Sequence, residues 1–290
     1  MRRPVAAACV VAMCLFVVGC GRDKAPTSWF DAAGYHVRDG KVFYLEAFPG
    51  AAVEIAGADT PSFQALDRTF ARDRRSVYVD GRRLVEAEPE SFELLDRRDF
   101  ARDRSHVFRR DRIVSDDPAH FALLDGDLTR DGRAVYWSDG RVLSDDPASF
   151  VIISNVDSYL FTRDRAAVHV NGGVITGADP ATFRVLQGAY ARDAAQVFYF
   201  TGPIAGADAE SFRPLQGPYA ADASRVYWMG KPIAGADPAS FRVLNADFEC
   251  SSDRTRAYYR DGVVAGADPT TFPPGRAVTN CSETSMSFAG

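Results

Sequence analysis

"QGPYAADASRVYWMGKPIAGADPASFRVL" runs from Gln216 to Leu244, directly after "QGAYARDAAQVFYFTGPIAGADAESFRPL" from Gln187 to Leu215. The two stretches keep their aromatic, Gly, Asp and Phe positions in step. Self-similarity at a fixed period marks a tandem array, whose units cannot bury their apolar faces alone and must stack. Two landmarks carry the repeat outward. The first is an acid, then Pro or Ala, then Ser or Thr before Phe. The acid stands at Asp59, Glu88, Asp117, Asp146, Asp179, Asp208, Asp237 and Asp268. Four residues on comes Phe63, Phe92, Phe121, Phe150, Phe183, Phe212, Phe241 or Phe272. Three further on stands Leu or Ile, until Pro273-Pro274-Gly275 breaks the pattern. Most intervals are 29 residues; the largest, 33, separates Asp146 from Asp179 around Ser154-Asn155-Val156-Asp157.

The second landmark is an Asp followed by a Val-aromatic pair. Examples are Phe70-Ala-Arg-Asp73 with Val77-Tyr78, and Tyr219-Ala-Ala-Asp222 with Val226-Tyr227. The Asp recurs as Asp103, Asp131, Asp164, Asp193 and Asp253. A degenerate first copy reads Arg38-Asp39-Gly40-Lys41-Val42-Phe43-Tyr44. Imperfect first and last copies suit an array that caps its own ends.

With these residues in view, the chain resembles the DKNYY family: Asp, then Val-Tyr-Tyr/Trp, a Gly turn, and Gly-Ala-Asp-Pro-x-Thr/Ser-Phe. The resemblance covers about residues 35 to 272. It departs at the slot two residues after the Asp, where the family has Asn and this chain has Arg75, Ser105, Arg133, Ala166, Ala195, Ser224 and Thr255. It implies an envelope lipoprotein or secreted protein and brings no activity with it.

The unit's local signals predict a mainly β fold. Val-Tyr-Tyr-like runs favour strands. Asp80-Gly81, Asp139-Gly140, Asn171-Gly172 and Asp261-Gly262 are hairpin signals. Asp followed by Pro starts a short helical turn, with Phe and the Leu three on expected on one face of it. The expectation is eight units of about 29 residues, each with three short strands and one helical turn, in a solenoid-like or curved array. A closed propeller-like ring is the alternative, for which such units look short.

The termini set the location. Met1-Arg2-Arg3 and an apolar run from Val5 to Val18 have signal-peptide character. Val17-Val18-Gly19-Cys20 resembles a bacterial lipobox. This predicts a lipoprotein signal peptide at 1–19, a lipidated tether at 20–33 beginning at Cys20, a repeat domain at 34–272 and a C-terminal tail at 273–290. Acyl chains hold a protein to a bilayer without a spanning helix. Gly21 after Cys20, in place of Asp, favours the outer membrane over the inner. The net charge of −5 becomes more negative when Arg2 and Arg3 leave, which disfavours nucleic acid as a partner. Cys250 and Cys281 then remain in an oxidising compartment, and a disulfide between them is expected.

No cofactor, metal site or catalytic residue is expected. Seven equivalent Asp residues before hairpins bond their own backbone; they do not make one active site. Asp116-Asp117 and Asp145-Asp146 are too few oxygens for calcium. His36, His106, His120 and His169 occupy different slots of the unit and lack metal-ligand spacing. The aromatics two residues beyond each Val share its strand face. Trp137, Tyr199, Trp228 and Tyr259 are thus the candidates for an exposed ladder that meets a ligand, against the competing expectation that both strand faces are packed. The functional expectation is a non-catalytic binding or scaffold lipoprotein of the periplasm-facing envelope. It would present its repeats to an envelope protein or a glycan such as peptidoglycan. A purely structural spacer, or an enzyme with an unrecognised site, is the alternative.

Overall fold

The computed structural model describes residues 25–290. The expected signal peptide and Cys20 lie outside the described residues. The chain forms two compact units, one ending at Pro118 and the other starting at Ala119. The first holds a three-stranded sheet (Gly34–Arg38, Lys41–Leu45, Ala52–Glu54) and four-stranded sheets over 64–84 and 93–115. The second holds four-stranded sheets over 122–144, 151–174, 184–203, 213–232 and 242–263, then a hairpin of Val278–Cys281 with Met286–Phe288. In every sheet the strands follow chain order and pair antiparallel, and none closes into a barrel.

The sheet over 184–203 shows the plan. Its strands are Arg184–Gln187, Tyr190–Arg192, Val197–Tyr199 and Gly202–Pro203. The central pair runs Tyr190↔Tyr199, Ala191↔Phe198 and Arg192↔Val197. Such a unit has one strand more than its sequence predicts. The extra strand is the stretch after the Phe, expected to share a helical face with it. The Asp-Pro turn is too short to nucleate a helix. It forms a single 3-10 turn at Thr60–Ser62 and Pro269–Thr271, and the Phe after each returns to extended backbone. The chain then pairs as a leading strand. Prolines in strands fall only at sheet edges: Pro214 in a first strand, Pro203 and Pro232 in fourth strands. Proline cannot donate to an inner ladder.

Within each compact unit, core clusters lie between consecutive sheets, and the Phe of a crossover turn is the pivot where a ring from each sheet flanks it. Phe92 sits between Phe70 of one sheet and Phe108 of the next, at ring separations of 5.5 and 5.8 Å. Phe212 sits likewise between Tyr190 and Tyr227, both at 5.5 Å. Phe183 bridges Phe161 and Phe198, and Phe241 bridges Tyr219 and Tyr258. Burying one such ring contributes about 1.5–3 kcal/mol. Where the second strand opens with Tyr, its hydroxyl also crosses to the next sheet. Tyr190 donates to the Pro218 carbonyl at 2.7 Å and accepts from the Gly230 N–H at 3.1 Å.

The four extra residues around Ser154 lengthen one hairpin. Val151–Val156 pairs with Tyr159–Arg163 through a turn at Asp157 and Ser158, both with positive φ. The segment 273–290, expected as a tail, carries the terminal hairpin. Ser282 takes the place of the repeated Asp there, its hydroxyl accepting from the Thr284 N–H. Cys281 is bonded to Cys250 of the preceding sheet, with Cα atoms 5.8 Å apart.

Candidate functional site

The repeated Asp is the most heavily used polar group in each unit. Asp222 is buried. One of its oxygens accepts the backbone N–H groups of Ser224 and Arg225, both at 2.7 Å. The other accepts the Asp208 N–H at 3.1 Å and the Tyr227 hydroxyl at 2.6 Å. The carboxylate therefore ties the central hairpin to the crossover turn that leads into its sheet. Asp73 and Asp253 repeat all four bonds. Where the aromatic is Phe, as at Phe198, the hydroxyl is lost and Asp193 keeps the three backbone donors. At Asp164 the Ser144 hydroxyl donates at 2.5 Å.

Burial raises the Asp222 carboxyl, but its hydroxyl and N–H donors more than offset this and hold it at about 2, against an ordinary 3.8. Asp253 is held at about 2 for the same reasons. Burial, then the bond to Asp222, pushes the Tyr227 hydroxyl up to about 12. A carboxyl lowered on folding stabilises fully above its unfolded pKa, and that contribution is lost as pH falls through the folded value. The melting temperature is thus expected to hold between about pH 5 and 7 and to fall steeply from about pH 4 towards 2. Circular dichroism melts across that range check it; a flat profile down to about pH 2 contradicts it.

The four aromatic candidates are each half-buried. Trp137 lies over Gly172 of the following hairpin turn, and Tyr199 over Gly230. Gly230 has φ +79°, and a Cβ there would come within 2.6 Å of Tyr199, so the close approach requires glycine. Trp228 and Tyr259 both face the Arg260 guanidinium, at 5.8 and 4.8 Å from their ring centroids. Trp228 packs against the Tyr219–Tyr258 core, and Tyr259 against the cluster around the disulfide. The residues between, such as Tyr227 and Tyr258, are fully buried on the other face. One strand face is thus buried, and the candidates on the other are half-covered by the following turn, by Arg260 or by a core cluster.

The histidines stay apart. His169 is buried in the slot of the hub's aromatic, its pKa lowered by burial against the pull of Asp164. His106 approaches Asp103 at 3.9 Å. Among the described residues, no three His, Cys, Asp or Glu side chains gather where they could hold a metal ion.

Sequence reasoning passed over a set of grooves along the leading strands of the second unit. One of about 550 Å³ lies between the extended hairpin at Ser154–Asp157 and the strand Arg184–Gln187. Another, about 690 Å³, is lined by Gln187, Gln216, Gly217, Asn245 and Phe248. A third, about 370 Å³, lies between Leu215-Gln216 and Phe241–Val243. In the sequence alone the Phe and the Leu three on fit one helical face, which gives no sign of the surface these strands share.

The model of the DKNYY family matches residues 70–202 and 219–278. No curated protein and no solved structure matches the chain.

Proposed function

The chain belongs to the DKNYY family, and from that premise we propose that it is a non-catalytic binding or scaffold module of the bacterial cell envelope. It would be tethered by lipid at Cys20, at the outer membrane, and present its repeated surface to an envelope protein or glycan. One observation carries this reading. The acid and aromatic groups common to all units are directed inward: Asp73, Asp222 and Asp253 each have both oxygens filled by turn amides and a tyrosine hydroxyl. The shared Asp builds the scaffold, and side chains that differ between units, such as Gln64, Glu93, Arg184 and Arg213, are exposed. Tandem units of this kind characteristically build extended binding surfaces.

Two measurements test it. Labelled palmitate is expected to enter the wild-type chain and not Cys20→Ala; equal labelling removes the tether. The purified protein, used as bait on detergent-solubilised envelope, is expected to retain a saturable protein or glycan. Recovery of nothing above a bare-resin control would leave a spacer role instead.

A further inference from the structure

Two slots of the leading strand change character along the array: the residue after the pivot Phe, and the residue after the Leu. In the early copies these slots hold Gln64 and Asp67, Glu93 and Asp96, then Ala122 and Asp125. In three consecutive late copies they hold Arg184 and Gln187, Arg213 and Gln216, and Arg242 and Asn245. An acid-leaning edge becomes a cationic and carboxamide edge within one repeat design.

The cross-strand register shows what this does. Glu93 stands opposite Arg102 and forms an ion pair with it at 2.6 Å. In the late copies the arginine stands on the leading strand, opposite Ala221 for Arg213 and Ser252 for Arg242. At Arg184 the opposite residue is Arg192, a like-charge pair. Like charges directly opposite destabilise a sheet. Arg192 turns to the Ala209 carbonyl, and Arg242 reaches the Ser252 hydroxyl at 3.2 Å. Among the described residues, Arg184, Arg213 and Arg242 form no ion pair, and all three are exposed. Arg184 lines the groove beside the extended hairpin and Arg242 lines the groove at Leu215-Gln216, and Asp157 is the one acid lining any of the three grooves.

We propose that the leading strands beginning at Arg184, Arg213 and Arg242 form the binding face for a linear acidic glycan. This rests on the reading of the protein as a binding module. The arginines would pair with carboxylate or phosphate groups along the polymer. The Gln216 carboxamide offers a donor and an acceptor, the pattern suited to sugar hydroxyl and acetamido groups, while the Gln187 amide also donates to the Leu215 carbonyl at 3.4 Å. Asn245 uses its carbonyl oxygen on the Glu249 and Cys250 N–H groups, which leaves its amide pointing to other partners. The exposed ring of Phe248, packed over Gly217, supplies an apolar face in the same groove. An acidic peptide adding a strand has a poor template here, since the leading strands are two to four residues long. Nucleic acid carries a denser charge, one per about 1.7 Å of duplex, which one sparse line of arginines does not match.

The test measures binding of the purified full chain to polygalacturonate by biolayer interferometry, with dextran, polyglutamate and single-stranded DNA as comparisons. Wild type is expected to bind polygalacturonate at least about ten-fold more tightly than the other three, and more weakly as salt rises. The triple variant Arg184→Glu, Arg213→Glu, Arg242→Glu is expected to lose at least about ten-fold. Arg75→Glu, Arg82→Glu, Arg83→Glu makes the same charge change elsewhere and is expected to stay within about two-fold. Should the glutamate ladder fail to fold, the glutamine ladder at the same three positions decides, and it too must lose binding. Equal loss in both triple variants, or an unaffected ladder variant, overturns the proposal. Polyglutamate or DNA binding as tightly as polygalacturonate overturns the glycan class. Envelope capture retained by wild type and ladder variant alike, with polygalacturonate bound by neither, overturns this face and leaves the binding-module reading standing.

Discussion

Asp222→Ala is expected to lower the stability of its unit by about 4 kcal/mol, as are the equivalent changes at Asp73 and Asp253. The mutation strands three backbone N–H groups and the Tyr227 hydroxyl at once. Each such donor left without an acceptor away from water costs about 1–3 kcal/mol, most of all the buried Tyr227 hydroxyl. Asp193→Ala strands three donors and is expected to cost about 3 kcal/mol, because Phe198 brings no hydroxyl. The ordering of the two variants separates hub chemistry from simple loss of volume, which is the same in both. Stability in a tandem array is a sum of unit and interface terms. Hydrogen exchange is therefore the better readout: amides over 213–232 should open first, with distant sheets protected. A loss below about 1 kcal/mol, or equal losses at the two sites, would show that the hub is not the unit's anchor.

The second large effect is at the C-terminus. Replacing both Cys250 and Cys281 by alanine opens a cross-link spanning 31 residues. Loop-closure entropy for that span is worth about 3–4 kcal/mol. Both cysteines are also buried, packed with Val278, Met286 and Phe288. The terminal hairpin has two strands and cannot stand alone. The double variant is expected to release 278–290 to limited proteolysis while the sheets over 151–232 resist as before. Proteolysis unchanged from wild type would mean that packing alone secures the hairpin.

The fold was legible in the sequence where the repeat put the same residues in the same slots. Val-aromatic pairs and Asp-Gly or Asn-Gly turns located the central strands, and the period located the units. The Asp residues were legible as turn formers. Their bonds to the crossover N–H, such as Asp208 N–H to Asp222, were not, because that contact spans 14 residues and has no local signature. The leading strand was misread since Phe and Leu three apart satisfy a helical face as well as an extended pair. Extended backbone wins through pairing with the next strand, which only the fold supplies. The aromatic candidates posed a question of face that strand alternation could not answer. An alternating pattern distinguishes two faces and does not say how far each is covered. Arg184, Arg213 and Arg242 stand 29 residues apart in the sequence, but a helical reading of their slots gives no reason to connect them.

Every sheet draws its ladder hydrogen bonds from fewer than thirty consecutive residues, and the crossovers ahead of Asp193, Asp222 and Asp253 repeat the same turn, pivot and hub. A gene encoding such a chain can change its copy number by recombination between near-identical stretches without inventing a new junction. Excising residues 187–215 would bring Gln216 to the place of Gln187 and Tyr219 to that of Tyr190. Length is then the trait that varies most readily, and each added copy brings two outward slots free to drift towards a new partner.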